Sequence, residues 1–244
     1  MSINSILAII PARANSKRIP NKNIRNFLGK PLIYYSIKQA QACDFIDRIV
    51  VDTDSPLIAK IALKFGAEVP QLRPKKLAGD NSKVVDSVLY MLQQFKNKEN
   101  YIPDYVMILQ TTSPLREIKD IKDSWKMMMD TQSDTVLTVC PTHPRFYYLD
   151  SDNKLILVNG TEKESTNIQA WRPGYKLNGC FVYIIKTSAL IREKNIITKN
   201  TKALVCSQWR SVDLDTFEDW ALAETLYKNK QKISNRIEQL YEKK

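Results

Sequence analysis

Five apolar residues in succession, Ile6-Leu7-Ala8-Ile9-Ile10, end at Pro11. A short apolar run closed by proline reads as a strand covered on both faces, the condition of a parallel sheet. The stretch that follows, Ala12-Arg13-Ala14-Asn15-Ser16-Lys17-Arg18-Ile19-Pro20-Asn21-Lys22-Asn23, is polar, carries four cations and has no hydrophobic period. Open α/β sheets bind ligands where loops leave the carboxyl ends of their strands. The backbone N–H groups here, with the Ser16 hydroxyl and the cations, suit an anion such as a triphosphate. The loop contains neither G-x-x-x-x-G-K-[ST] nor G-x-G-x-x-G, and alone it is equally a solvated basic turn.

Further along, strands and helices alternate. Helices are expected over residues 31–40, 56–65, 83–95, 118–129 and 216–227, strands over 67–69, 105–110, 135–140, 177–185 and 203–206, and a strand running into an acidic turn over 48–55. Ser55-Pro56 is a helix entry and Gly66 a helix stop. The β-α-β-α-β-α-β order predicts an α/β protein with a Rossmann-like, mostly parallel sheet and helices on both faces. Between residues 141 and 175 the pattern breaks into prolines, tyrosines and a hairpin around Ser151-Asp152-Asn153, read as a small inserted lobe within a single domain spanning 1–244.

Net charge is +11, from 37 Lys+Arg against 26 Asp+Glu, which suits polyanionic substrates or nucleic acid. Many lysines lie in peripheral runs such as residues 228–232, and no RRM, OB or KH pattern accompanies them, which argues against a nucleic-acid partner. The four cysteines are scattered and His143 is the one histidine, flanked by Pro141 and Pro144, so neither a zinc site nor a catalytic imidazole is expected. Cys140, Cys180 and Cys206 fall in apolar segments as free core thiols, pointing to a reduced, cytoplasmic protein. No segment has the length of a membrane span.

Four polar clusters fall at predicted strand ends: the basic loop, Asp52-Thr53-Asp54-Ser55, Gln110-Thr111-Thr112-Ser113, and Ser211-Val212-Asp213-Leu214-Asp215-Thr216. On one edge of a sheet they make a crevice with cations on one side and carboxylates on the other. In an extended segment Asp213 and Asp215 point to one face, as Mg²⁺ bound by carboxylates and phosphate oxygens requires. Asp215 also fits as a helix cap, with Glu218 completing the box. Asp52 and Asp54 fit an Asx turn as well as a ligand-facing role.

With these residues in order, the chain resembles the acylneuraminate cytidylyltransferase family, which activates sialic acids and related nonulosonates as CMP-sugars. Residues 9–23 are similar to the family's nucleotide-binding signature. Segments 48–55, 72–80, 109–116, 178–179 and 212–216 resemble its later motifs, in the same sequence order. The resemblance implies a nucleotide-diphosphosugar transferase fold, CTP as co-substrate, Mg²⁺, and a homodimer formed through the inserted lobe. It also implies roles: Ala12, Arg13, Ser16, Lys17, Lys22 and Asn23 at the CTP phosphates, and Arg73 and Ser82 near the nucleoside. Gln110 and Asn178 would lie at the sugar acid and Asp213 and Asp215 at the metal, with Arg13, Lys22 and Asp213 as the catalytic set. The anomeric hydroxyl of a 2-keto sugar acid attacks the α-phosphorus and pyrophosphate leaves, a reaction that depends on alignment and charge neutralisation. A 3-deoxy-octulosonate-type acid is the alternative acceptor.

Three positions depart from the family pattern. Arg18 stands where Gly is usual, Thr111 where Pro is common, and Ile168 where an Arg grips the sugar carboxylate. Arg172 and Lys176 are the cations left for that carboxylate. Trp171 and Tyr175 fit an acyl-amino pocket and equally a dimer interface.

Overall fold

The computed structural model describes residues 4–158, 172–179 and 181–242. Its central sheet has the order β11-β6-β10-β5-β1-β4, where β1 is Ile6–Pro11, β4 Arg48–Asp52, β5 Tyr105–Ile108, β6 Thr135–Thr142, β10 Tyr183–Lys186 and β11 Thr201–Val205. β1 is parallel to both β4 and β5, pairing Ile9 with Val50 on one side and with Ile108 on the other. Along this order β10 runs against its neighbours, antiparallel to β5 and β6. The expected mostly parallel α/β sheet is what forms.

β1 lies centrally because its residues tolerate burial on both faces. Ile6, Ala8 and Ile10 pack on one side with Ile33 and Ile37 of α1 (Leu32–Gln41), while Leu7 and Ile9 pack on the other with Val88 and Leu92 of α3 (Val84–Glu99). All five are 0% exposed, so the period of two directs each to a separate core. α2 (Pro56–Lys64) begins where expected, its Ser55 hydroxyl accepting from Ile58 N. α4 (Ile118–Thr131) starts in a capping box between Glu117 and Asp120.

Several boundaries differ from the sequence reading. Residues 67–69 make only an isolated bridge, Val50 with Glu68. The strand expected over 177–185 is two strands: β9 (Gly174–Leu177), antiparallel to the end of β6, and then β10. Gly179 sits between them at φ +70°, a left-handed conformation that ends an extended run. α5 (Thr187–Glu193) and α7 (Lys230–Glu242) are additional helices, α7 following α6 (Phe217–Lys228). The expected hairpin is present, as β7 (Tyr147–Leu149) antiparallel to β8 (Leu155–Leu157) with Asn153 left-handed at φ 60°. Residues 159–171, including Ile168 and Trp171, and Cys180 lie outside the described residues.

Cys43, Cys140 and Cys206 are buried free thiols, and burial pushes Cys43 up to about 11 and Cys206 to about 12. Among the described residues no helix is long and apolar enough to cross a membrane.

A third apolar cluster sits at the edge where β1 ends. Phe27 is its centre, meeting Tyr35, Trp220 and Tyr227 edge to face at 5.3, 5.5 and 5.7 Å. Ile19 from the basic loop and Leu214 from the Asp213–Asp215 segment are both fully buried in it. Leu214→Ala is expected to cost about 2–5 kcal/mol, the range for truncating a buried leucine; urea unfolding checks it.

Candidate active site

The carboxyl ends of β1, β4 and β5 share one sheet edge, and the four polar clusters meet there. Ala14 N donates to Asp54 Oδ1 at 2.7 Å, tying the basic loop to the end of β4. Thr111 Oγ1 donates to Asn23 Oδ1 at 2.6 Å, and Asn23 Nδ2 to the Arg13 carbonyl at 2.8 Å, tying the loop to the end of β5. Leu214 N reaches Thr112 O at 3.0 Å, and Ser113 Oγ the Gly179 carbonyl at 3.0 Å. A cleft of about 380 Å³ opens beside the loop, lined by Ala14 to Lys17, Pro20, Asn21 and Ala78 to Asp80.

The four cations are held by two carboxylates. Arg13 Nη1 and Lys17 Nζ lie 3.2 and 2.6 Å from the two oxygens of Asp80. Arg18 Nη1 and Lys22 Nζ lie 2.6 and 3.4 Å from the two oxygens of Asp215. Lys17, then Arg13, hold the Asp80 carboxyl below the usual range. These pairs are largely exposed and worth little in stability; Lys22 is the exception, with a side chain only 13% exposed and Nζ also donating to the Leu214 carbonyl at 2.6 Å. Cations aligned in this way are chemically able to exchange Asp80 and Asp215 for a polyanion.

Asp213 and Asp215 are adjacent for a different reason from the expected one. Asp215 N donates to the Asp213 carbonyl at 2.9 Å, so the backbone makes a tight turn instead of an extended run. Between them Leu214 is pinned in the aromatic cluster. Asp215 is also not the cap of α6: Thr216 is, with Asp219 and not Glu218 completing the box. The Asp215 carboxylate is thereby left for the cations. Asp213 is half-buried, its Oδ1 is enclosed without a hydrogen-bond partner among the described residues, and desolvation raises its pKa, with Thr112 and Lys22 opposing and Asp215 adding to the rise. Hard oxygens on one half-buried carboxylate with an enclosed, unpartnered Oδ1 and on one accessible carboxylate fit a divalent cation completed by phosphate and water oxygens. Among the described residues no group of three or more His, Cys, Asp or Glu gathers to make an all-protein metal cage.

Other expected site residues have structural duties. Asn178 is 1% exposed, its Oδ1 accepting from Thr138 Oγ1 at 2.9 Å and its Nδ2 donating to Ser211 Oγ at 3.3 Å, so its carboxamide is used inside the wall and not toward a sugar. Arg73, 7% exposed, pairs with Asp52 Oδ2 at 2.6 Å and braces the end of β4; neither is open to a ligand as it stands. Asn23, 6% exposed, positions the loop. Ala12 is buried and spends its N–H on the Asp52 carbonyl. Ser16 lines the cleft, and Ser82 donates to the Lys76 carbonyl at 3.2 Å, closing the loop that presents Asp80. Gln110 is half-buried and its carbonyl is gripped by Arg116. Arg172 and Lys176 are exposed, with no ion pair among the described residues.

Asp80, Arg116 and Gly179 shape this edge through contacts that the sequence motifs alone do not assign. Asp80 stands in an aperiodic polar loop, a signal for presentation at a site. A Cβ on Gly179 would come within 2.5 Å of Asp213 Cγ, so glycine is required there twice, by conformation and by contact.

A structure of CMP:2-keto-3-deoxy-manno-octonic acid synthetase complexed with CTP superposes with a TM-score of 0.70, covering 93% of this chain and 99% of that one at 14% identity, a likeness of fold alone. The cytidylyltransferase family model matches residues 7–244, and the chain belongs to that family. It is 38% identical over 224 residues to the CMP-N,N'-diacetyllegionaminic acid synthase of Legionella pneumophila, covering 91% of this chain and 95% of that protein. It is 34% identical over 228 residues to the pseudaminic acid cytidylyltransferase of Campylobacter jejuni, covering 91% and 96%.

Two outcomes are expected. Gly179→Ala displaces Asp213 and lowers both turnover and melting temperature, measured side by side. Asp213→Asn removes a half-buried charge whose folded pKa desolvation raises. The wild type loses stability as pH rises from the ordinary aspartate range through that raised value, and carries the full penalty above it. In metal-free buffer the variant is therefore the more stable protein at neutral pH. The difference in melting temperature shrinks toward zero as pH falls below the ordinary range.

Proposed function

We propose that this protein transfers CMP from CTP to the anomeric hydroxyl of a nonulosonic sugar acid, releasing pyrophosphate, with Mg²⁺. The observation that carries the reading is the cation–carboxylate edge, in which Arg13, Lys17, Arg18 and Lys22 face Asp80 and Asp215. The relatives named for legionaminic and pseudaminic acids support a nine-carbon acceptor over the shorter octulosonate.

Arg13 and Lys17 take the outer phosphates, and the half-buried Lys22 holds charge near the reacting phosphorus. Asp213 and Asp215 would hold Mg²⁺, which when bound neutralises the triphosphate and the departing pyrophosphate. The protein's part is alignment, since in-line displacement needs no protein nucleophile. Arg18 gives Asp215 a counter-charge before the nucleotide arrives. Arg172 and Lys176 are the candidate grips for the sugar carboxylate. A homodimer through the 141–175 lobe is part of the reading, supported by Tyr148, Leu149, Leu155 and Val158, each more than half exposed on or beside one hairpin. So is a cytoplasmic location, supported by the buried free thiols.

A pyrophosphate-release assay with CTP, Mg²⁺ and a panel of legionaminate, pseudaminate, N-acetylneuraminate and 3-deoxy-octulosonate tests the reading. Turnover is expected with a nine-carbon acid, and silence across the panel from folded protein overturns it. Asp215→Asn is expected to lose about 10²-fold or more in kcat, as removal of a transition-state charge contact does. Arg18→Gly is expected to retain turnover while tightening Mn²⁺ binding, read by electron paramagnetic resonance, because Asp215 loses a competing partner.

A further inference from the structure

A cavity of about 500 Å³ lies between α1, the 114–119 segment, the 208–210 turn and the junction of α6 with α7. It shares no lining residue with the cleft beside the basic loop. Its size is that of a small-molecule site, about 300–1,000 Å³. Tyr34, Trp209 and Tyr227 contribute aromatic side chains to its lining. Tyr35 adds a fourth ring, its hydroxyl already committed to the Phe27 carbonyl at 2.7 Å.

The lining is also biased toward positive charge. Glu117 is its one acid, and it sits 3.6 Å from Arg210, which in turn is bonded through both Nη atoms to Asp120. Lys38 and Lys230 are exposed, and their contacts are with uncharged groups: Lys38 Nζ with Gln41 Oε1 at 2.6 Å, Lys230 Nζ with the Tyr227 ring at 4.7 Å. Such a lysine exchanges a weak internal contact for a phosphate at little cost. Flat rings beside uncommitted cations match a ligand with one planar ring system and one dense anionic group.

We propose that this cavity is a second ligand site for a mononucleotide, with its base among Tyr34, Trp209 and Tyr227 and its phosphate at Lys38 and Lys230. The site is coupled to the catalytic edge. Arg116, 2% exposed and part of the cavity lining, donates Nη2 to the Gln110 carbonyl at 2.6 Å and Nη1 to the Phe181 carbonyl at 2.8 Å. Gln39, also in the lining, accepts from Arg116 Nε at 3.2 Å. An occupant bears on the groups that set where Gln110 stands, and so on the acceptor side of the reaction.

Calorimetric titration with AMP, CMP and inorganic pyrophosphate on Lys22→Ala protein, whose catalytic cleft is weakened, tests the site directly. One equivalent of a mononucleotide per chain is expected. Binding should weaken about tenfold in Lys38→Glu and in Lys230→Glu, a charge reversal close to a phosphate, and be lost in Trp209→Ala. Pyrophosphate, which has no ring, should bind at least tenfold more weakly. Absence of binding by both nucleotides, binding that survives Lys230→Glu together with Lys38→Glu, or equal affinity for pyrophosphate overturns the proposal. The two lysines are exposed, so their variants decide the matter should Trp209→Ala fail to fold. Coupling rests on the sugar-acid reading, and its measurement is separate: the bound mononucleotide should change the KM for the acceptor in wild type and not in Lys230→Glu. An unchanged KM overturns the coupling and leaves the binding result standing.

Discussion

Two buried apolar side chains, Ile19 and Leu214, hold together the two walls of the edge where cations and carboxylates meet. Each belongs to a loop that is otherwise polar, and each is fully buried in the cluster around Phe27. Cations and carboxylates left free in water would spread apart and hydrate, because exposed pairs gain little from meeting. Here the hydrophobic anchors set the separation first. The ion pairs of Arg18 and Lys22 with Asp215, at 2.6 and 3.4 Å, follow from it. The polar chemistry is thus organised by apolar burial, the larger and less directional force.

A second constraint comes from the reversal of direction between β5 and β10. Their ladder runs from Tyr105 with Lys186 to Ile108 with Tyr183, and past its end the carbonyls of Gln110 and Phe181 have no strand partner. Buried carbonyls without donors are costly, and the Arg116 guanidinium supplies both, with a further donation to Ser36 Oγ at 3.0 Å. One planar fork thereby joins α1, β5 and β10 just beneath Gln110. The same residue faces the cavity between α1 and α6, which is how two separate pockets share a wall.

Much of the architecture was legible in the chain itself. The apolar run at β1 could only be a strand buried on both faces, and the alternation of periods dictated a parallel sheet with helices outside it. The Ser55-Pro56 entry and the hairpin at Asn153 were local turn chemistry and came out as read. The run over 177–185 divides at Asn178-Gly179, a turn dipeptide whose left-handed glycine outweighs the apolar residues that continue on either side of it. Helix α7 was hidden in a lysine-rich run that looked like no more than a solvated face; its apolar residues, Ile233 and Ile237, are only partly buried.

At the site, the residue types and their order along the chain determined that cations and carboxylates would gather at strand ends. Composition and spacing reach that far because strand ends in a parallel sheet share an edge. Which side chains remain available to a ligand was decided only by the tertiary structure. Asn178 and Arg73 look like binding residues in sequence, yet the Asn178 carboxamide and Arg73 Nη2 are bonded within the wall. Asp80, by contrast, becomes the partner of Arg13 and Lys17 across more than sixty positions of chain. Sequence states what a side chain can do; the burial and partners that folding assigns to it determine what it is left free to do.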